Sequence, residues 1–139
     1  MPVTAESVIP MARVCCLADV DPDDVALIGA ALKGAGEAAL SIIARLDVSE
    51  LGKLAPDILI VDIDRLEIDP LEVLRRLRFV VPECVIVVYT GTMQHSWSRA
   101  CHLAGANCVL SKESPESQLS VGLRSAIWGG CYTDPRFAA

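Results

Sequence analysis

Five short apolar runs alternate with longer stretches of helical composition along this chain of 139 residues. The apolar runs are rich in Val, Ile and Leu and carry no alternating polar residue, which is typical of strands that are buried on both faces. Strands that are separated by helices in this repeated way predict a parallel sheet covered by helices on both sides. The predicted strands are 14–17, 38–43, 58–61, 85–89 and 108–110.

The length is that of one domain with a substantial core. Residues 1–12 show no periodic pattern and are predicted to be a flexible lead-in. The periodic pattern predicts a folded domain over residues 13–130. Residues 131–139 are predicted to be a C-terminal tail or the start of a linker.

Composition argues against several classes of function. The formal net charge of −6 argues against binding of DNA or RNA by this domain itself. No apolar run approaches the length that crosses a membrane. The first residues lack a basic stretch followed by an apolar core, so we expect no secretory signal and a cytoplasmic location. The six cysteines form no C-x-x-C pair, and we expect buried, reduced thiols rather than a zinc site or disulfides.

Polar residues follow four of the five predicted strands directly or within two positions. These residues are Asp19, Asp62, Thr90 and Lys112. Ligands of open α/β sheets bind outside the carboxyl ends of the strands, where these side chains would meet if the strands are neighbours. Crowded carboxylates suit Mg²⁺, and a hydroxyl and an ammonium suit phosphate oxygens. The set therefore predicts a site that holds a phosphoryl group, with a carboxylate as a possible nucleophile.

Three segments around these residues resemble the receiver (CheY-like) domain of two-component response regulators. They are PDILIVDIDRLEIDPLEVLRRLR (56–78), VIVVYTG (85–91) and GANCVLSKESPESQL (105–119). The C-terminal AIWGGCYTDPRFAA resembles the junction that follows the receiver in NarL/FixJ-type transcription regulators. The resemblance implies a flavodoxin-like, doubly wound, five-stranded parallel sheet with the strand order 2-1-3-4-5.

The resemblance also implies a role for each site residue. Asp62 would accept a phosphoryl group from a histidine kinase or a phosphotransfer protein. Asp19 and Asp62 would hold Mg²⁺ together with the backbone carbonyl of Asp64. Thr90 and Lys112 would bind phosphoryl oxygens and reorient when the site is loaded.

The family implies further properties of the whole chain. It would be a signalling domain rather than an enzyme, catalysing at most its own phosphotransfer and dephosphorylation. Its partner would be a sensor kinase, with a possible homodimer through the fourth and fifth helices. Whether an effector domain belongs to this chain is left open.

Some residues depart from the family pattern. One of two adjacent acids after the first strand is replaced by Ala18 or Val20, and Val109 stands where an aromatic ring is common. In the loop after Asp62, Leu66 and Pro70 replace a proline and a glycine. These departures favour the alternative of a degenerate receiver that acts as a phosphorylation-independent interaction or dimerisation module. A small enzyme or nucleotide binder is a third reading, weakened by the lack of a Gly-rich loop after the first strand.

Three other features carry predictions. Asp21 is expected to cap the first helix, which makes it a less suitable metal ligand than Asp19. The side chain of Asp64 could repel a phosphate or attract a second cation, and the sequence leaves both open. Arg75, Arg76 and Arg78 are expected to form a solvated helix face.

Overall fold

The computed structural model describes residues 14–36, 39–43, 47–92 and 94–138. The predicted lead-in, residues 1–12, lies outside the described residues, as does position 13, where the domain was predicted to begin.

Within the described residues, six parallel strands form one sheet in the order β2-β1-β3-β4-β5-β6. The predicted fold class and the order 2-1-3-4-5 are confirmed, and a short sixth strand extends the sheet beside β5. The strands are β1 (Val14–Ala18), β2 (Ala39–Ile43), β3 (Ile58–Asp62), β4 (Val85–Thr90), β5 (Cys108–Ser111) and β6 (Tyr132–Thr133).

Five α-helices connect the strands in the described part of the chain. They are α1 (Pro22–Ala35), α2 (Val48–Leu54), α3 (Pro70–Val80), α4 (His95–Leu103) and α5 (Glu116–Ile127). As predicted, α1 begins after Asp21, whose side chain accepts a hydrogen bond from the Asp23 N–H at 2.9 Å. None of the described helices combines the length and the apolar character needed to cross a membrane.

The sheet separates two buried cores, and β3 contributes to both. Ile58 and Ile60 point to the side covered by α1 and α5, whereas Leu59 and Val61 point to the side covered by α2, α3 and α4. All five residues of β3 are buried. Its unbroken apolar sequence follows from burial on both faces.

The C-terminal segment is packed against the domain where the sequence predicts a tail or linker. Tyr132 and Thr133 pair with β5, and a 3₁₀ helix, Pro135–Ala138, follows. Phe137 is fully buried in the core under α3 and α4, and Asp134 is 1% exposed. The folded unit therefore continues at least to Phe137, and Ala139 lies outside the described residues.

Arg78 does not belong to a solvated face, contrary to the expectation for the three arginines of α3. Its guanidinium donates hydrogen bonds to the carbonyls of Pro82, Cys84 and Gly105 and to the Asn107 side chain. Arg75 lies at the surface in an ion pair with Glu72.

Three of the described thiols match the expectation of burial: Cys84, Cys101 and Cys108 are buried, whereas Cys131 is exposed. Burial raises the pKa of the Cys101 and Cys108 thiols to about 12. These two buried thiols are therefore held in the protonated, unreactive form.

Candidate functional site

The predicted site residues lie at one edge of the sheet, at the carboxyl ends of four neighbouring strands. β3 ends at Asp62 and β4 at Thr90, and Lys112 follows the last residue of β5. Asp19 directly follows β1, where Ala18 pairs in register with Val61 of β3. Strand order and register thus bring these four positions to one rim, as the sequence analysis predicts.

Asp62 and Lys112 form the centre of this site. The Lys112 Nζ lies 2.8 Å from Asp62 Oδ2, and the exposed fractions of the two side chains are 26% and 1%. Burial raises the pKa of Asp62 above its usual value, in spite of the hydrogen bond and the charge of Lys112. For Lys112, burial is outweighed by the bonds to Asp62 and Asp64, so its pKa is raised and the ammonium is favoured.

The turn after β3 is organised by Asp62 itself. Its Oδ1 accepts a hydrogen bond of 3.1 Å from the backbone N–H of Asp64, and the chain forms a 3₁₀ turn, Ile63–Arg65. A side chain that accepts from the N–H two residues ahead is the usual cap of such a turn. The turn directs the Asp64 side chain toward the end of β4.

Three donors hold the Asp64 carboxylate there. Thr90 Oγ1 donates to Oδ1 at 2.7 Å, and the Gly91 N–H donates to Oδ2 at 2.7 Å. The Lys112 Nζ lies 3.1 Å from the same Oδ2. Burial opposes ionisation of Asp64, but the bonds from Thr90, Gly91 and Lys112 outweigh it and lower the pKa of the carboxyl. One ammonium is therefore shared between two ionisable carboxyl groups.

The sequence analysis missed two of these contributions. It assigned the backbone carbonyl of Asp64 to the metal site and left the role of the side chain open, whereas the carboxylate is bound to both Thr90 and Lys112. It did not include Gly91, whose backbone N–H is a donor. The sequence shows an acid two residues after Asp62, but the orientation of its side chain depends on the turn that follows β3.

Asp19 lies next to β3 at the predicted position and adopts a positive φ of 58°. Among the described residues, no group of three or more His, Cys, Asp and Glu side chains is arranged to hold a metal ion. Two carboxylates at adjacent strand ends are nevertheless a donor set that suits Mg²⁺, which keeps several waters. Asp21 is used elsewhere, since it caps α1 and pairs with Arg65 at 3.2 Å.

Comparison of the sequence with known proteins finds regulators. No family model matches the chain. The chain is 33% identical over 85 residues to the methanol utilization control regulatory protein MoxX of Paracoccus denitrificans, covering 60% of this chain and 38% of MoxX. It is 29% identical over 85 residues to the DNA-binding transcriptional activator EvgA of Escherichia coli K12, covering 61% of this chain and 42% of EvgA. The aligned region thus spans about two fifths of each of these relatives.

Solved structures share the fold over nearly all of the chain. A two-component response regulator of the LuxR family from Aurantimonas sp. SI85-9A1 has a TM-score of 0.74 at 19% identity, covering 91% of both chains. The isolated REC domain of RcsB from Salmonella enterica serovar Typhimurium, determined with the phosphomimetic BeF3⁻, has a TM-score of 0.68 at 18% identity. That match covers 92% of this chain and 96% of the REC domain. The predicted resemblance to response-regulator receiver domains is confirmed by the sequence relatives and by the fold.

Proposed function

We propose that this chain, a receiver-like domain by sequence and fold, accepts a phosphoryl group on Asp62 and passes the signal through its surface. One observation carries the proposal: Lys112 Nζ lies 2.8 Å from Asp62 Oδ2 at the carboxyl edge of the sheet. A buried carboxylate that ends a central strand is rigidly supported, and a neighbouring ammonium can neutralise charge that arrives there. A hydroxyl from β4, that of Thr90, lies in the same cluster.

The proposed step is a phosphoryl transfer. An oxygen of Asp62 attacks the phosphorus of a phosphohistidine on a sensor kinase or phosphotransfer protein. The new O–P bond forms as the P–N bond breaks, and the histidine nitrogen keeps the electron pair. Lys112 and the Thr90 hydroxyl would then bind oxygens of the transferred group.

Mg²⁺ fits the donor chemistry of this edge. Asp19, Asp62 and the backbone carbonyl of Asp64 would hold it. Bound there, the ion would neutralise charge on the incoming phosphoryl oxygens. The absence of a further acid beside Asp19, where Ala18 is fully buried, leaves few carboxylate ligands for the ion. We therefore expect weak Mg²⁺ affinity.

The role that we propose for the chain in a larger regulator is based on its sequence relatives. MoxX and EvgA are regulators by name, and EvgA is a DNA-binding transcriptional activator. We infer that this chain supplies the input of a comparable transcription regulator in the cytoplasm and makes no nucleic-acid contact of its own. Homodimerisation would use the surface of α4 and α5. Beside this surface, β6 pairs with the edge of β5.

Phosphotransfer tests the proposal directly. The wild-type chain is incubated with Mg²⁺ and acetyl phosphate, or with an autophosphorylated histidine kinase, and intact mass is recorded. We expect one added phosphoryl group on the wild type and none on Asp62→Ala. Asp23→Ala, a change at an exposed acid in the first turn of α1, should be labelled like the wild type. Equal labelling of Asp62→Ala, or an unlabelled wild type with both donors, would overturn the proposal.

A degenerate receiver is the second candidate, and one observation favours it. The Asp62 side chain is only 1% exposed, while the donors that a phosphoryl group would need are bound to Asp64. In that case the domain would bind its partner without phosphorylation. Beryllofluoride with Mg²⁺ separates the candidates, because an Asp62-dependent change in the amide spectrum supports the first and an unchanged spectrum the second.

A further inference from the structure

The donors around Asp64 form a complete binding site for one oxyanion. A hydroxyl, a backbone N–H and an ammonium converge on the two carboxylate oxygens, at 2.7 Å, 2.7 Å and 3.1 Å. The three donors come from β4 and from the residues just after β4 and β5. Charge-assisted bonds of this kind are the strong ones in proteins. The Asp64 carboxylate therefore behaves as a bound ligand rather than as a solvated surface acid.

The position of Asp64 relative to Asp62 is equally informative. The Asp64 side chain is 29% exposed, against 1% for Asp62, and both bind the same ammonium. Asp64 is thus the more exposed of the two carboxylates that share Lys112. An external anion that approaches Lys112 would have to displace this carboxylate or tolerate its charge.

We propose that Asp64 is an internal ligand, whose carboxylate fills the oxyanion site formed by Thr90, Gly91 and Lys112 and keeps external phosphate out. The proposal rests on the proposed function in one respect, namely that this site is the one a phosphoryl group on Asp62 would use. It answers the question that the sequence leaves open. Asp64 neither merely repels a phosphate nor gathers a second cation, but takes the place of the phosphate oxygens.

Charge explains why removal of Asp64 should open the site. With both carboxylates ionised, Asp62, Asp64 and Lys112 carry a net charge of −1, and an added phosphate meets repulsion with its donors already used. Without the Asp64 carboxylate, one carboxylate and one ammonium remain. Thr90 and Gly91 lose the acceptor of their bonds, and Lys112 keeps only Asp62. Unsatisfied donors in a partly buried site favour binding of any anion that can restore their bonds.

The test uses inorganic phosphate and the full chain. In Asp64→Ala, phosphate titration followed by amide NMR should give a saturable shift at Gly91 and Lys112. Its affinity should be at least about tenfold higher than in the wild type, since one charge-assisted bond corresponds to that factor or more. Asp64→Asn, which keeps a side chain of the same size, is the second variant and should also bind phosphate more tightly than wild type. Glu67→Ala removes an exposed acid from the same loop and should behave like the wild type.

The outcomes separate this inference from the proposed function. Equal phosphate affinity in the wild type, Asp64→Ala and Asp64→Asn would overturn the internal ligand, whether or not Asp62 is phosphorylated. Tighter phosphate binding that is lost again on adding Lys112→Ala supports the internal ligand. That result holds even if no donor labels Asp62, in which case only the phosphotransfer proposal fails. A faster phosphorylation of Asp62 in Asp64→Ala than in Glu67→Ala would support both.

Discussion

At the scale of residues, the site is governed by the sharing of one cation between two carboxylates. Lys112 is close to Asp62 and to Asp64, at 2.8 Å and 3.1 Å, and Asp62 is nearly inaccessible to water. The stability of the fold with Asp62 ionised therefore depends on the ammonium of Lys112, because burying a charge without a partner costs free energy. The surface pair of Arg75 and Glu72 has no such dependence, since both side chains are more than half exposed.

A double-mutant cycle measures that dependence. Lys112→Ala should lower the free energy of unfolding at pH 7 by about 3 kcal/mol, because it leaves a buried carboxylate without a partner of opposite charge. Asp62→Asn in the same chain should restore about 1 kcal/mol or more of that loss. Urea unfolding at pH 7 gives the four free energies.

The matched control is the cycle of Arg75→Ala and Glu72→Gln, whose coupling should not exceed about 0.5 kcal/mol for an exposed pair. A coupling of Lys112 with Asp62 as small as that of the control pair would contradict the assignment of Lys112 as the partner of a buried charge.

The sequence predicted Asp19, Asp62, Thr90 and Lys112 as site residues because each follows a predicted buried strand, and parallel strands end at a common edge. It could not predict the role of the Asp64 side chain. That role depends on a three-residue turn, Ile63–Arg65, whose direction is set by a hydrogen bond from the Asp64 N–H to Asp62. No periodicity in the sequence encodes such a turn.

At the scale of elements, the end of α3 is tied to the loops before β4 and β5 by one side chain. The Arg78 guanidinium bonds the Cys84 carbonyl at 2.8 Å and the Gly105 carbonyl at 2.7 Å. It also bonds the Asn107 side chain at 2.6 Å, which in turn accepts the Ile86 N–H at 2.8 Å. The fork of Arg reaches several acceptors at once, which a lysine cannot do. A surface prediction from helical spacing alone misses this role, because Gly105 and Asn107 lie 27 and 29 residues away in the sequence.

Arg78→Ala should therefore lower the free energy of unfolding by about 2 kcal/mol, because hydrogen bonds are lost and carbonyl groups are left without a donor. Arg78→Lys should recover less than half of the loss, since an ammonium cannot span the same acceptors. Arg76→Ala, on an exposed position of the same helix, should change stability by less than about 0.5 kcal/mol. Thermal and urea unfolding check these values, and an Arg78→Ala chain as stable as Arg76→Ala would contradict them.

At the scale of the whole molecule, the C-terminal segment closes the edge of the sheet beside α4 and α5. β6 pairs with β5, His102 Nε2 lies 2.7 Å from Thr133 Oγ1, and His95 Nδ1 lies 3.2 Å from the Phe137 carbonyl. The five main strands and their helices were predictable from long apolar runs and helical periodicity. β6 was not, because its two residues carry no apolar run, and its pairing depends on how α5 ends.

Phe137 and Phe79 test whether that segment is part of the fold. Phe137 is fully buried, whereas Phe79, on α3, is 87% exposed, so the same substitution acts on the same side chain in opposite environments. Phe137→Ala should lower the free energy of unfolding by about 3–5 kcal/mol, because it leaves a cavity in the core under α3 and α4. Phe79→Ala should change it by less than about 0.5 kcal/mol. Urea unfolding at pH 7 compares the two variants with the wild type, and a Phe137→Ala chain as stable as Phe79→Ala would show that the segment is only an appended tail. If instead the loss is large, the surface of α4 and α5 includes the C-terminal segment, and any partner that binds there must contact the segment or displace it.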